Sequence, residues 1–426
     1  MRLELNPLTG KLETGGWWKR VDSTLFPVIE GDSVGIGGDL DVTGSIYSPL
    51  GLQFVSGGVD LYVSTTCDDT TGDGSSGSLW ATPTKLVEEM ARYRSNGDIT
   101  GHIADGTYTN PDPTSNWIEI PTYAQGTWII EGNDSTPANV IFEGDDASIS
   151  EAASIFYNIN HSISLQIKGI TLKNAYTPIN TTARMNLQNL VFDNYKYAVN
   201  MTDGAIVNSY GGYRTLTFNG SSVVNATGFR MLNGASLVIS ENIRMTDNQY
   251  DFVLTGNCMV KLQESVNSTY ESVLSTSDGR SAINASRESV FEINMNMILD
   301  GGSGTGDYAI SLTSRSRLYS FYGKEHLFIN YTTAGWYMGV GVIVNEPYGS
   351  LWFYSSIPDG IHADYSVNIE SADTLDTTIN WYDYADIRGY DERYLQFSGD
   401  NGWTGSFTNA DGDTVAVENG LITDVS

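Results

Sequence analysis

Two carboxylates, Asp193 and Asp247, are the residues of this chain whose type and spacing bear most directly on bond-breaking chemistry. Hydrolysis of a glycosidic bond takes two carboxyl groups roughly 5 to 9.5 Å apart. Asp193 is the fifth residue of the segment 189–194, and Asp247 is the sixth of the similar segment 242–247, two repeats later. If successive repeats stack as strands at ~4.8 Å, the two Cα atoms fall on the order of 10 Å apart. Lys173 holds the position of Asp193 one repeat earlier, so a surface ion pair of roughly 0–1 kcal/mol is the simpler use of that carboxylate. Asn174, Asn194, Gly220 and Asp247 end their segments, where short polar side chains and glycine serve a turn.

The second candidate group is aromatic: Trp336, Tyr337, Trp352, Tyr354, Trp381 and Tyr382 crowd the last quarter of the chain. Flat rings bind sugar faces by apolar contact and lose little side-chain entropy, which suits a glycan-binding surface. The same rings would serve equally as the core of an oligomer. His102, His161, His326 and His362 are scattered and have no visible Ser or Cys partner, so none reads as a catalytic base. Asp68, Asp69 and Asp73, or Asp411 and Asp413, do not follow EF-hand spacing and read as solvated turns. Neither a metal nor another cofactor is expected.

The elements that position these residues come from a repeat. The segments 169–174, 189–194, 215–220 and 242–247 start 20, 26 and 27 residues apart. Their second and fourth residues are apolar: Ile170 and Leu172, Leu190 and Phe192, Leu216 and Phe218, Ile243 and Met245. That is the period of a strand with one buried face. A second series places the turn residues Gly204, Gly234, Gly256, Ser286 and Ser314 at intervals of 30, 22, 30 and 28. Strands of constant pattern joined by corners of variable length describe a solenoid that accepts insertions at its edges. The predicted fold class is all-β, a parallel β-helix.

Composition narrows the function. Lys plus Arg number 22 against 51 Asp plus Glu, a net charge of −29, which repels a phosphate backbone and anionic lipid. No nucleic acid is expected as a partner, and with no apolar run of spanning length no membrane insertion either. The start of the sequence lacks the apolar stretch of a secretory signal. Two cysteines, Cys67 and Cys258, exclude a disulfide framework.

Four regions are expected. Residues 1–57 alternate apolar and polar positions but are too few for an independent core, as in a stem that attaches and trimerises. Residues 58–98 hold an entry strand and a helix, with Thr82 as N-cap, Pro83 in the first turn and Leu86, Val87, Met90 and Ala91 as one apolar stripe; it caps the first coil. Residues 99–335 carry the β-helix, and 336–426 a distinct β-rich region for receptor binding or trimerisation.

The opening 62–108, with its polar turn at 68–77, its helix and the stretch Ile103 to Tyr108, resembles the start of pectin-lyase-like right-handed β-helices in bacteriophage tail spikes and tail fibres. Residues 6–12 and 36–46 are similar to stem segments of such proteins, and 402–425 to a short β module that closes many of them. None of these stretches is a catalytic signature. The resemblance implies a right-handed parallel β-helix in a homotrimeric virion protein of the phage tail, made in the host cytoplasm. It further implies a tail or baseplate protein as partner through the N-terminus and a host surface polysaccharide or receptor as target. Of two functions, an adhesin that attaches the virion to its host is favoured, because the solenoid is short and no cluster of Arg, Lys and carboxylate falls within one coil; the alternative is a polysaccharide depolymerase acting by hydrolysis or elimination, with Asp193 and Asp247 as the catalytic candidates.

Overall fold

The computed structural model describes residues 52–319, except 113–114, 145–153, 211–213, 221–225, 264–271, 277–280, 296 and 301–305. Elsewhere, and at a few strand positions inside that range, it describes strand backbone alone. The chain divides into two units, Met1–Ile46 and Tyr47–Ser426. In the first, Trp18–Val21 and Thr24–Pro27 pair as an antiparallel hairpin.

The second unit is a parallel β-helix. Its strands fall into three long parallel sheets, each ordered strictly along the chain. The first sheet runs from Val59–Val63 to Asp386–Gly389, the second from Gly106–Thr109 to Leu375–Asp376, the third from Ile118–Glu119 to Gln396–Phe397. Each coil gives one strand to each sheet, so a residue's neighbours lie in the coils before and after it.

That geometry converts the period of the sequence into a core. Phe142, Leu172, Phe192, Phe218, Met245, Leu274 and Leu299 pair rung to rung in one column of the second sheet, and all are fully buried. The rings of Phe192 and Phe218 stack at 4.6 Å and 7°. In the third sheet Phe156, Ile179, Val199, Phe229, Phe252, Ile283 and Ile310 make the matching column. Each fully buried side chain of this size contributes about 1.5–3 kcal/mol, which sets the register against slippage.

The expected helix is Pro83–Met90. The Thr82 hydroxyl accepts from the Lys85 N–H at 3.2 Å, and Asp69 accepts from the Thr82 N–H and hydroxyl at 3.0 and 2.6 Å. Leu86, Val87, Met90 and Ala91 are buried against the first coil. Gly101 makes that approach possible, since a Cβ there would come within 2.6 Å of Leu86 Cδ2. The polar turn before the helix closes over Trp80, whose indole N–H donates to Gly72 O at 3.0 Å.

The expected end of the coils at 335 needs correction. Trp336 pairs with Ile310 below and Ile361 above, and the parallel ladders continue to Phe397. What changes at 336 is composition, not pairing. After 336, 405–425 alone departs from the pattern among the described strands, as an antiparallel three-stranded sheet. Among the described residues no helix is long and apolar enough to cross a membrane.

Candidate functional site

Asp193 lies in the second sheet between Lys173 and Asn219 in register. Its carboxylate is 3.9 Å from Lys173 Nζ and accepts from Asn219 Nδ2 at 3.1 Å, so it is engaged on both sides along the column. Asp247 is not brought into that column. Asn219 pairs with Thr246, so Asp247 falls one residue beyond the column, exposed in a left-handed conformation at φ 57°. It joins Asn174 and Asn194, at φ 52° and 56°, in a corner column. There the Asn194 amide donates to Asn174 Oδ1 at 2.7 Å and the Asn174 amide to Glu143 Oε1 at 2.7 Å. The corner therefore uses these residues for turn geometry.

The aromatic candidates separate by register. Trp336 occupies the column of buried Ile283 and Ile310, and Trp381 that of buried Ala285 and Leu312 through Met338 and Ala363. Tyr337 continues the column of Asn284 and Ser311, and Trp352 the one that begins with Arg244, Val273 and Ile298; those residues are exposed or half-buried. Tyr382 pairs with Asp364, and Tyr354 lies outside the described residues. Asp68 and Asp73 hold their own turn, accepting from the Thr70 N–H at 2.7 Å and the Ser75 N–H at 2.9 Å. The Thr70 hydroxyl, donating at 2.6 Å, together with its N–H lowers the Asp68 carboxyl below the usual aspartate range, and the Ser75 N–H lowers that of Asp73. His102 stacks on Tyr62 at 4.6 Å, between Asp60 at 3.0 Å and Glu131 at 2.8 Å.

Two groupings were not legible in the sequence. The first is a groove of about 350 Å³ on the outer face of the third sheet, lined by Lys196, Tyr197, Thr227, Arg230, Gln249, Tyr250 and Val253. Tyr197, Thr227 and Tyr250 succeed one another in register, as do Asn200, Arg230 and Val253. The Arg230 guanidinium lies 4.8 Å over the Tyr197 ring, and Tyr176 meets that ring edge-on at 5.6 Å. Partial burial lowers the Lys196 ammonium below the usual lysine range. Two cations, two phenol rings and an amide, with no carboxylate in the lining, form a surface that can stack on a sugar and hydrogen-bond its hydroxyls.

The second grouping is at the corner between the first and second sheets. Asp134 pairs with Arg214 through Oδ2, and Asn189 ties the corner together. The Asn189 backbone N–H donates to Glu241 Oε2 at 3.2 Å, and its amide donates to the Asp134 carbonyl at 2.6 Å and to Asp134 Oδ1 at 3.2 Å. Glu241 is 1 % exposed, and burial pushes its carboxyl up to about 7. A carboxyl raised by burial close to a second acid is an arrangement that general acid–base catalysis can use. Here Glu241 is too deeply buried to touch a substrate, and its Oε1 makes no hydrogen bond among the described residues, so the grouping positions a corner. Another buried acid, Asp251, accepts from Asn248, which in turn accepts from the Tyr195 hydroxyl at 2.7 Å. Complete burial raises the Asp251 carboxyl well above the aspartate range.

No protein-family model and no curated protein matches the chain. Among solved structures, Escherichia coli YbhC is similar over 87% of this chain and 90% of that one, at 11% identity and a TM-score of 0.30. The class defined by the chain's own sheets is a parallel β-helix with a helix-capped first coil and a groove of rings and cations on one lateral face.

Proposed function

We propose that this protein is a glycan-binding β-helix of the bacteriophage tail-spike or tail-fibre type, which attaches a virion to the host cell surface. The observation that carries the reading is the groove in which Arg230 lies over Tyr197 with Lys196 and Tyr250 alongside. A rigid sheet holds these side chains, so little ordering is required when a sugar binds. The resemblance of 62–108 and of the stem segments to phage tail proteins supports the virion role. It also supports a homotrimer joined through the stem at 1–57, with a tail or baseplate protein as partner.

Adhesion without cleavage is favoured over depolymerisation by the use to which the carboxylates are put. Asp193 is engaged by Lys173 and Asn219, Asp247 serves a corner, and Glu241 is buried. The test is binding of the purified chain to an array of bacterial surface polysaccharides, with release of reducing or unsaturated ends measured in parallel. Binding that weakens about tenfold in Tyr197→Ala and in Arg230→Ala, without product release, is the expected outcome. Product release that disappears in Asp193→Asn or Asp247→Asn would replace the adhesin with the depolymerase. Light scattering should give a mass three times 46.4 kDa.

A further inference from the structure

The corner that joins the third sheet to the first is turned five times by two consecutive left-handed residues. These are Asp203 with Gly204, Asn233 with Gly234, Gly256 with Asn257, Arg287 with Glu288, and Ser314 with Arg315. Backbone hydrogen bonds stack the turns: Gly204 N–H to Asn233 O at 3.1 Å, Gly234 N–H to Gly256 O at 2.7 Å, Asn257 N–H to Arg287 O at 2.9 Å, and Glu288 N–H to Ser314 O at 2.9 Å. The first three turns use the residues that tolerate this conformation best. The last two do not. Arg287, Glu288, Ser314 and Arg315 have φ of 55°, 64°, 52° and 64°, and each such residue costs on the order of 1 kcal/mol where glycine would be cheaper.

Glycine would serve these two turns at lower cost, so their side chains point to a use outside the turn itself. Arg287, Arg315 and Arg317 are exposed and, with Asn257 and Ser314, line an open ledge whose one carboxylate is Glu288. Arg315 reaches Glu288 at 3.5 Å, but the two side chains are 77% and 58% exposed, so water screens the pair. Arg287 and Arg317 meet no carboxylate at ion-pair distance among the described residues. In a chain of net charge −29, three guanidiniums on two adjacent coils, Arg287 and Arg315 in the turns and Arg317 at the start of the strand that follows, are a local reversal of sign. A guanidinium matches carboxylate and sulfate oxygens in pairs, and a rung spacing of ~4.8 Å is close to the length of one pyranose in an extended chain. The strand Tyr250–Thr255 leads from the Tyr197 and Arg230 groove directly to this ledge.

We infer that the ledge of Arg287, Arg315 and Arg317 binds the acidic groups of an anionic polysaccharide laid along the solenoid. The inference rests on the glycan-binding reading and names its substrate class: polymers bearing carboxylate or sulfate. An acidic protein surface fits less well, because the rest of this chain would repel it over a wide area, whereas a narrow polymer meets only the ledge and the groove of Tyr197 and Arg230 that leads to it.

The full chain is titrated calorimetrically with polygalacturonate, with dextran sulfate and with uncharged dextran. At least one charged polymer should bind about tenfold or more tightly than dextran, with the preferred one telling carboxylate from sulfate. The triple variant Arg287→Gly, Arg315→Gly, Arg317→Ala should lose that preference and yet melt at a higher temperature, since glycine relieves the two left-handed positions. Glu288→Gln should tighten binding of the same polymer. Equal binding of all three polymers by the unmodified chain, or an unchanged preference in the triple variant, would overturn the inference. The glycan reading fails separately. If bacterial polysaccharides do not bind but the charged polymers do, the ledge stands and adhesion falls. If polysaccharides bind through Tyr197 and carboxyl reduction of the polymer changes nothing, adhesion stands and the ledge falls.

Discussion

Arg230 lies over the ring of Tyr197, its guanidinium carbon 4.8 Å from the ring centre, although the two residues stand on neighbouring coils. A cation over an aromatic face is worth about 0.5–1 kcal/mol at a partly exposed site, and it holds both groups flat against the sheet. The planar guanidinium also retains outward-facing donors, which an ammonium on a flexible stem presents less rigidly. Arg230→Lys should therefore keep the charge but weaken glycan binding by several-fold, with the melting temperature within a degree or two of the parent. Calorimetric titration alongside thermal melting measures both; unchanged affinity would remove the stacked guanidinium from the site.

Phe218 and Thr217 test the register. Phe218 is fully buried and stacked on Phe192, whereas Thr217 is only half-buried and belongs to the outward column of Val191 and Arg244. Phe218→Asp places an unpaired charge in the core and should prevent folding, a cost of more than about 4 kcal/mol. Thr217→Asp should cost less than about 1 kcal/mol, helped by Arg244 beside it. Circular dichroism melts of the two variants compare them, and equal melting temperatures would mean the strand faces the other way.

Glu241 should make stability depend on pH. Its carboxyl lies at about 7 in the folded chain against an ordinary value of 4.5, so the folded state holds an extra proton between those values. Its contribution to stability falls as the pH rises from about 4.5 to about 7 and stays low above that. Glu241→Gln keeps an acceptor for the Asn189 N–H without the charge. The variant should gain roughly 1–3 kcal/mol over the parent at pH 8 and almost nothing at pH 4.5. Urea denaturation at the two pH values measures the difference; a gain of the same size at both would attribute it to packing.

Gly101 should be intolerant of any side chain. A Cβ would sit 2.6 Å from Leu86 Cδ2 and 3.1 Å from Met90 Sδ, so Gly101→Val pushes the capping helix off the first coil. A loss of about 2–3 kcal/mol is expected, together with faster amide exchange confined to 83–103. Pairing Gly101→Val with Leu86→Ala should recover part of the loss, because the second change opens the space the first one fills.

What the sequence determined by itself is the inward pattern of each coil. Ile170, Leu172, Leu190, Phe192, Leu216 and Phe218 alternate with polar neighbours, and alternation is a local property that a strand cannot hide. Thr82 and Pro83 likewise marked the start of the helix, because capping depends on residues within one turn of each other. Asn174 and Asn194 were legible as a corner column for a similar reason, since few residues accept a left-handed backbone.

Only the tertiary structure decided which residues stand side by side on the outer faces. Outward neighbours belong to different coils, and the coils differ in length because their corners carry insertions, so spacing along the chain does not fix them. Asp193 and Asp247 looked like a pair at the period of the repeat, but the register runs from Asp193 through Asn219 to Thr246 and leaves Asp247 one residue beyond that column, in the corner. Asp134, Asn189, Arg214 and Glu241 meet at a corner to which four separate coils contribute, and no window of the sequence contains them together. The change of composition at Trp336 suggested an end to the coils, yet backbone pairing is indifferent to side-chain type and carried the sheets on to Phe397. Burial is legible one strand at a time, whereas a site on a solenoid exists only between strands.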